Sequence, residues 1–122
     1  MASILRVNTL TDASSNNSIA TSFIAQGTAK VWCPLVYSSG TPTAADSLNV
    51  ASFTDSQTGD AYINYTSSTA STNCSCGGSN TSTSSDLGVF NKADTTARGR
   101  TTTRNNSNSL ADSDRNFQLH GD

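Results

Sequence analysis

Ile, Leu, Val and Phe together supply only 20 of 122 residues, whereas Ser, Thr and Asn supply 51. Large apolar content this low sits under the roughly 20% below which chains usually stay unfolded. Disorder, however, normally couples low hydrophobicity with strong self-repulsion, and the formal net charge here is only −2. The shortage therefore constrains how the chain folds more than whether it folds. Burial returns about 25 cal/mol per Å² of apolar surface, against roughly 1–2 kcal/mol of backbone entropy per ordered residue. A domain with so thin a core draws on metals, disulfides or neighbouring copies. The three cysteines, Cys33, Cys74 and Cys76, are odd in number and include no C-x-x-C pair. Self-association is the expected route.

The polar residues also select the secondary structure. Glu is absent and Lys occurs twice, which removes the usual material of exposed amphipathic helices. Thr, Ser, Asn and Gly suit strand faces and turns instead. No apolar h-region follows Met1, and no stretch approaches the roughly 20 apolar residues of a membrane span. Neither a secretory signal nor membrane insertion is expected.

Alternation dominates the pattern. Residues 3–10 read as one strand, with Leu5 and Val7 on one face and Ile4, Arg6 and Asn8 on the other. A turn-rich stretch from Asp12 to Ser18 follows, then an apolar patch at Ile19, Phe23 and Ile24, and Gly27 closes this leader. Beyond it, strands are expected over 29–37, 46–54, 60–66, 73–77, 86–91, 97–104 and 115–121. Pro34 lacks an N–H and marks an edge or a bulge. Phe53 falls out of phase with Leu48 and Val50, which predicts a bulge near Ala51. Seven short strands split by turns fit a β-sandwich or small barrel.

Candidate chemistry is sparse. Cys74 and Cys76 share one strand face and, with Cys33 and His120, would make a metal site; as small hydrophobes they are expected to fill core positions instead, and a disulfide between Cys33 and either of them stays open. His120 is the only histidine, and no G-x-S-x-G singles out a nucleophile for it. Arg98, Arg100 and Arg104 share a face with Thr102. A nucleic-acid groove interleaves aromatics with such a stripe, and none occurs between Lys92 and Asn116. The stripe reads as a solvated or intersubunit face.

Three blocks carry a resemblance. SILRVNTLTDASSNNS, AQGTAKVW and DSLNVASFTDSQTGDAYINYT together resemble the short tail-fibre proteins of marine and other environmental bacteriophages, the last block being similar to a DS-x-NV-x-S-x-TD…TGDY…NFT run. The likeness continues weakly through NCSCGG and RNFQLHG. The chain departs from it at CPLVYSSGTPTAA and at Cys74 and Cys76, where the family carries core side chains such as Tyr and Val. The resemblance implies a homotrimeric, β-rich, non-enzymatic virion component attached through its N-terminal leader, a leader shared by more than one virion accessory protein.

The expected molecule is all-β: an extended attachment segment over 1–27, then an antiparallel β-sandwich of about seven short strands over 28–122, as a homotrimer. Its expected function is that of a tail fibre contributing to host attachment. A capsid decoration or head-fibre protein is the alternative, and a carbohydrate-binding module the third. Ile4, Leu5, Val7 and Leu10 are expected to hold other virion proteins by adding a strand to a sheet edge. Hydroxyl-rich loops offering Tyr37, Ser38, Thr41, Thr43, Ser67, Thr69, Lys92 and Asp94 are expected to gather at one outer end and touch a host surface glycan. No catalytic residue, metal, cofactor or nucleic-acid partner is expected.

Overall fold

Arg115, Phe117 and Leu119 occupy alternate positions of one strand and all three are fully buried. The strands around them account for most of the architecture. The computed structural model describes residues 3–15, 17–82 and 87–121. Among these residues are ten strands and one short helix: β1 (Thr9–Thr11), β2 (Ser18–Ala20), α1 (Thr21–Gly27), β3 (Ala29–Ser38), β4 (Thr41–Thr43), β5 (Val50–Gln57), β6 (Asp60–Tyr65), β7 (Ser75–Gly77), β8 (Leu87–Thr95), β9 (Arg98–Asn105) and β10 (Arg115–His120). The fold is mostly β and its sheets are antiparallel, as the composition predicts.

Two four-stranded sheets, ordered β4-β3-β10-β7 and β5-β6-β9-β8, contribute to one buried cluster. The first supplies Val31, Cys33, Leu35, Phe117 and Leu119; the second supplies Ala61, Ile63 and Tyr65. The shortage of aliphatic side chains is met by buried threonines. Thr101 and Thr103 point inward from β9 and are fully buried around Arg115. Gly99, the next inward position of β9, leaves room for the Phe117 ring, and a Cβ there would stand 2.7 Å from Tyr65 Oη.

All seven strands expected beyond Gly27 are present with shifted bounds; residue 86, the first of the expected 86–91 strand, lies outside the described residues. The register between β5 and β6 shifts between Val50 and Ser52, which is the bulge that Phe53 signals. Pro34 sits where its missing N–H costs nothing. Trp32 N bonds Leu48 O on the outer side of β3, and β4 takes up pairing on that side only from Val36, so Pro34 falls in the gap.

Three readings need correction. The expected strand over 3–10 survives only at Thr9 and Leu10. The turn-rich Asp12–Ser18 stretch is a turn as expected, joining β1 to β2, with Asp12 Oδ1 and Oδ2 accepting from Ser14 N and Asn17 Nδ2 and Thr9 pairing with Ala20. The patch at Phe23 and Ile24 is a seven-residue helix rather than extended chain, and none of its residues is buried. Leu48 is not in register with Val50: Asn49 adopts φ 59°, so Leu48 pairs outward with Trp32 while β5 begins at Val50.

The fourth difference has the widest effect. β4 lies where the sequence places a hydroxyl-rich loop with Ser38, Thr41 and Thr43, and it reverses the chain once more than expected. Every later loop therefore moves to the opposite end of the sheets.

Candidate functional site

The most chemically equipped surface is the outer face of the β5-β6-β9-β8 sheet. On β9 the inward positions are Gly99, Thr101 and Thr103, which leaves Arg98, Arg100, Thr102 and Arg104 outward. Cross-strand register sets Tyr62 opposite Arg100 on one side and Lys92 opposite it on the other, with Phe90 beside Thr102 and Gly88 beside Arg104. Aromatic side chains thus do interleave with the basic stripe. They come from β6 and β8 rather than from the stripe's own segment, which is why a search along 92–116 misses them. The TTARG turn, by pairing Thr95 with Arg98, holds the register that would have exposed them.

Ion pairs order this face. Arg100 clamps Asp60 with two hydrogen bonds, Nε to Oδ1 at 2.8 Å and Nη2 to Oδ2 at 2.6 Å, and Thr102 Oγ1 donates to the same carboxylate. These bonds hold the Asp60 carboxyl below the usual range although its burial acts the other way, and they raise the Arg100 guanidinium in turn. Asp94 receives Lys92 Nζ and Arg98 Nε, both at 2.8 Å, and is likewise lowered. Arg98 also stacks over Tyr62 at 4.1 Å. Asn64 Nδ2 ties Ser52 and Thr54 of β5 to the sheet. Between Gln57, Phe90, Lys92, Arg100, Arg104 and Leu110 lies an open hollow of about 310 Å³.

A second polar cluster is internal. Arg115 donates to Tyr37 Oη and Thr101 Oγ1 at 2.9 Å each, to Thr103 Oγ1, and to the carbonyls of Thr101, Ser113 and Gly59 at 3.2, 3.3 and 3.5 Å. Burial lowers its pKa, with Tyr37 acting the other way. It joins the two sheets from within the core. Alternation with Phe117 and Leu119 places it inward, a signal the charge disguises.

The eight residues expected at one outer end divide between the two ends. Tyr37, Ser38 and Thr41 lie beside the Gly59 turn and the 105–114 segment, where Asp114 Oδ1 accepts from Tyr37 N and Asp112 Oδ1 from Gly59 N; Thr43 lies further down β4, opposite Val36. Ser67 and Thr69 lie at the other end, where β3 begins, through Ser67 N to Asn49 Oδ1, Asn49 Nδ2 to Lys30 O, and Thr69 N to Thr96 O. Lys92 and Asp94 are within β8, not in a loop. Thr69 is buried, and Tyr37 is held under Arg115. The extra reversal at β4 is the cause of the split.

Ile4, Leu5, Val7 and Leu10 are all exposed, Ile4 and Leu5 at 76% and 80%. No disulfide joins the three cysteines: Cys33 is in the core, with burial pushing it up to about 12, and Cys74 and Cys76 pack against that core. Among the described residues no group of His, Cys and Asp has the arrangement to hold a metal ion. His120 Nδ1 donates to Gly27 O at 3.2 Å, and Gly121 N to Gln26 O at 3.0 Å, so the last strand ties down the end of α1. No helix among the described residues is long and apolar enough to cross a membrane.

Compared with known proteins, the chain matches no family model, no curated protein and no solved structure.

Proposed function

We propose that this chain is a non-enzymatic structural protein of a virion, a tail-fibre subunit that contributes to host-surface attachment as a homotrimer, with its two sheets packed as a sandwich and residues 1–27 serving as the attachment leader. One observation carries the reading. The described part of that segment buries none of its apolar side chains: Ile4, Leu5, Val7, Leu10, Ile19 and Phe23 are all exposed, while every buried apolar residue lies at Val31 or beyond. Apolar groups kept out of a chain's own scarce core are suited to a partner's surface.

Self-association is supported by the outer face of the other sheet. Trp32, Pro34 and Val36 stand outward on β3 beside Leu48, flanked by Asn116 and Gln118 of β10. This stretch carries no charge, and Val36 and Leu48 are 42% and 44% exposed. The contribution of both sheets to one buried cluster supports the sandwich.

The test is deletion of residues 1–12. The truncated chain is expected to keep its cooperative melt and to be missing from assembled particles; particles that still carry it would refute the leader's role. A density map of the particle separates a tail position from a head-fibre or decoration position. Light scattering on the full chain is expected to give three times the 12.7 kDa protomer, and a stable monomer would remove the trimer.

A further inference from the structure

The outer face of the β5-β6-β9-β8 sheet carries four cations, Lys92, Arg98, Arg100 and Arg104, on a chain whose formal net charge is −2. Asp60 and Asp94 take three of them. Arg104 is the fourth. Its Nη1 donates to Asn108 O at 2.7 Å, and no carboxylate of the described residues lies within ion-pair distance of it. Phe90 is 60% exposed on the neighbouring strand. Its ring leans over Gly88, where a Cβ would stand 3.5 Å from Cε2, and Gly88 is the cross-strand partner of Arg104. An open ring face and an unpaired guanidinium therefore border the same hollow.

We propose that this hollow binds a monoanionic sugar, a saccharide ring bearing one carboxylate, as in the uronic acids. The carboxylate lies against Arg104, which offers a planar fork of donors. The apolar C–H face of the ring covers Phe90, whose negative π face attracts those hydrogens. Hydroxyls meet Gln57, Thr102 and Lys92, which supply both donors and acceptors. The volume, about 310 Å³, is at the lower end of small-ligand sites and suits one ring rather than an extended chain segment.

Charge and ring count argue against a nucleic acid. A polyphosphate needs a continuous cationic track and several stacking platforms. Here two carboxylates interrupt the track, and the Tyr62 ring is already covered by Arg98 at 4.1 Å. One free ring and one unpaired cation match one ring with one charge. The inference rests on this face alone and does not depend on the virion reading.

Titration of the full chain, followed by amide chemical shifts at low ionic strength, tests it. The probes are sodium glucuronate, an oligogalacturonate, a neutral maltooligosaccharide and oligothymidylate. Shifts at β8 and β9 are expected with the two acids, and the monomer arm distinguishes a free sugar acid from a residue read only within a polymer. Phe90→Ala and Arg104→Gln, both surface changes, are each expected to weaken binding about tenfold or more, the fold-change of one charge-assisted bond or one stacked ring. Lys30→Gln on the other sheet is expected to leave it unchanged. No response to either acid, an equal response to the neutral sugar, tighter binding of oligothymidylate, or an equal loss in Lys30→Gln would each overturn the proposal.

Discussion

Arg115 is fully buried, yet no carboxylate of the described residues holds it; its partners there are two threonine hydroxyls, a tyrosine and three carbonyls. Replacing it with Met keeps much of the stem's volume and removes the charge. The carbonyls of Gly59 and Thr101 lose little, since Gly59 O keeps Thr103 N at 2.7 Å and Thr101 O keeps its strand. Tyr37 is half-buried and its hydroxyl can turn to water. The hydroxyls of Thr101 and Thr103 have no such escape, both being fully buried. Each stranded hydroxyl costs about 1–3 kcal/mol, and partial rotation toward a strand carbonyl favours the lower half. Arg115→Met is therefore expected to lose about 2–4 kcal/mol, a large share of the roughly 5–15 kcal/mol that holds a domain together.

A triple change separates the charge from the hydroxyls that solvate it. Arg115→Met with Thr101→Val and Thr103→Val removes donor and acceptors together, which is close to neutral where removing one side is not. At least half of the lost stability is expected to return. Urea denaturation at one fixed protomer concentration reads both, with an unchanged m-value as the check that the folded state is the same. A single mutant within about 0.5 kcal/mol of the parent, or a triple mutant no better than the single, would refute the view that these hydroxyls exist to solvate a buried guanidinium.

Three further outcomes follow from the sheet geometry. Asp60 binds its proton less readily folded than unfolded because Arg100 holds the carboxylate; the stability this supplies is present above about pH 4 and is lost as pH falls through the folded value. Melts from neutral to acid pH should show Asp60→Asn less stable at neutrality by about 1–2 kcal/mol, with a flatter acid limb. Tyr65 Oη is buried with no hydrogen-bond partner among the described residues, so Tyr65→Phe is expected to be neutral or to gain up to about 1 kcal/mol in the same denaturation. Val36→Lys puts a charge among Trp32, Pro34 and Leu48 on the outer face of β3 and is expected to lower the light-scattering mass to one protomer; an unchanged mass would place the contact elsewhere.

The strands were readable because alternation survives even where the apolar partner is Thr: Gly99, Thr101 and Thr103 keep the inward phase that Ile63 and Tyr65 set on β6. The turn at Gly59 has a local cause: its φ of +70° favours glycine, and its backbone lies so close to Ala111 N that a Cβ would come within 2.6 Å. What the sequence hid was non-local. β4 is three residues, and only its pairing with Val36–Ser38 makes it a strand. That single hidden reversal separates Tyr37 and Thr41 from Ser67 and Thr69, which no inspection of the loops themselves would reveal. Arg115 reads as a solvent-facing charge until its phase with Phe117 is weighed above its type. The aromatic partners of the Arg stripe lie some ten to forty residues away in sequence and one strand away in space.

The two outer faces differ in a way that bears on the proposed assembly. One presents Trp32, Pro34, Val36 and Leu48, with Lys30 alone at the start of its strand; the other presents four cations and two acids around an open ring. Burying the second face between copies would strand Arg104 away from water, a cost that ion pairs with only two acids do not offset. Burying the first removes apolar surface, with Lys30 alone at the start of β3 to be left in water, and adds to a core that holds eight apolar residues. In a trimer built on the first face, the hollow beside Phe90 would be repeated three times toward solvent. One carboxylate held weakly at each hollow would then become a firm grip on a polymer that repeats the same acid. The poverty of apolar side chains and the surplus of exposed cations would thus be two aspects of one design, in which copies supply each other's missing core and leave their charged sheets free.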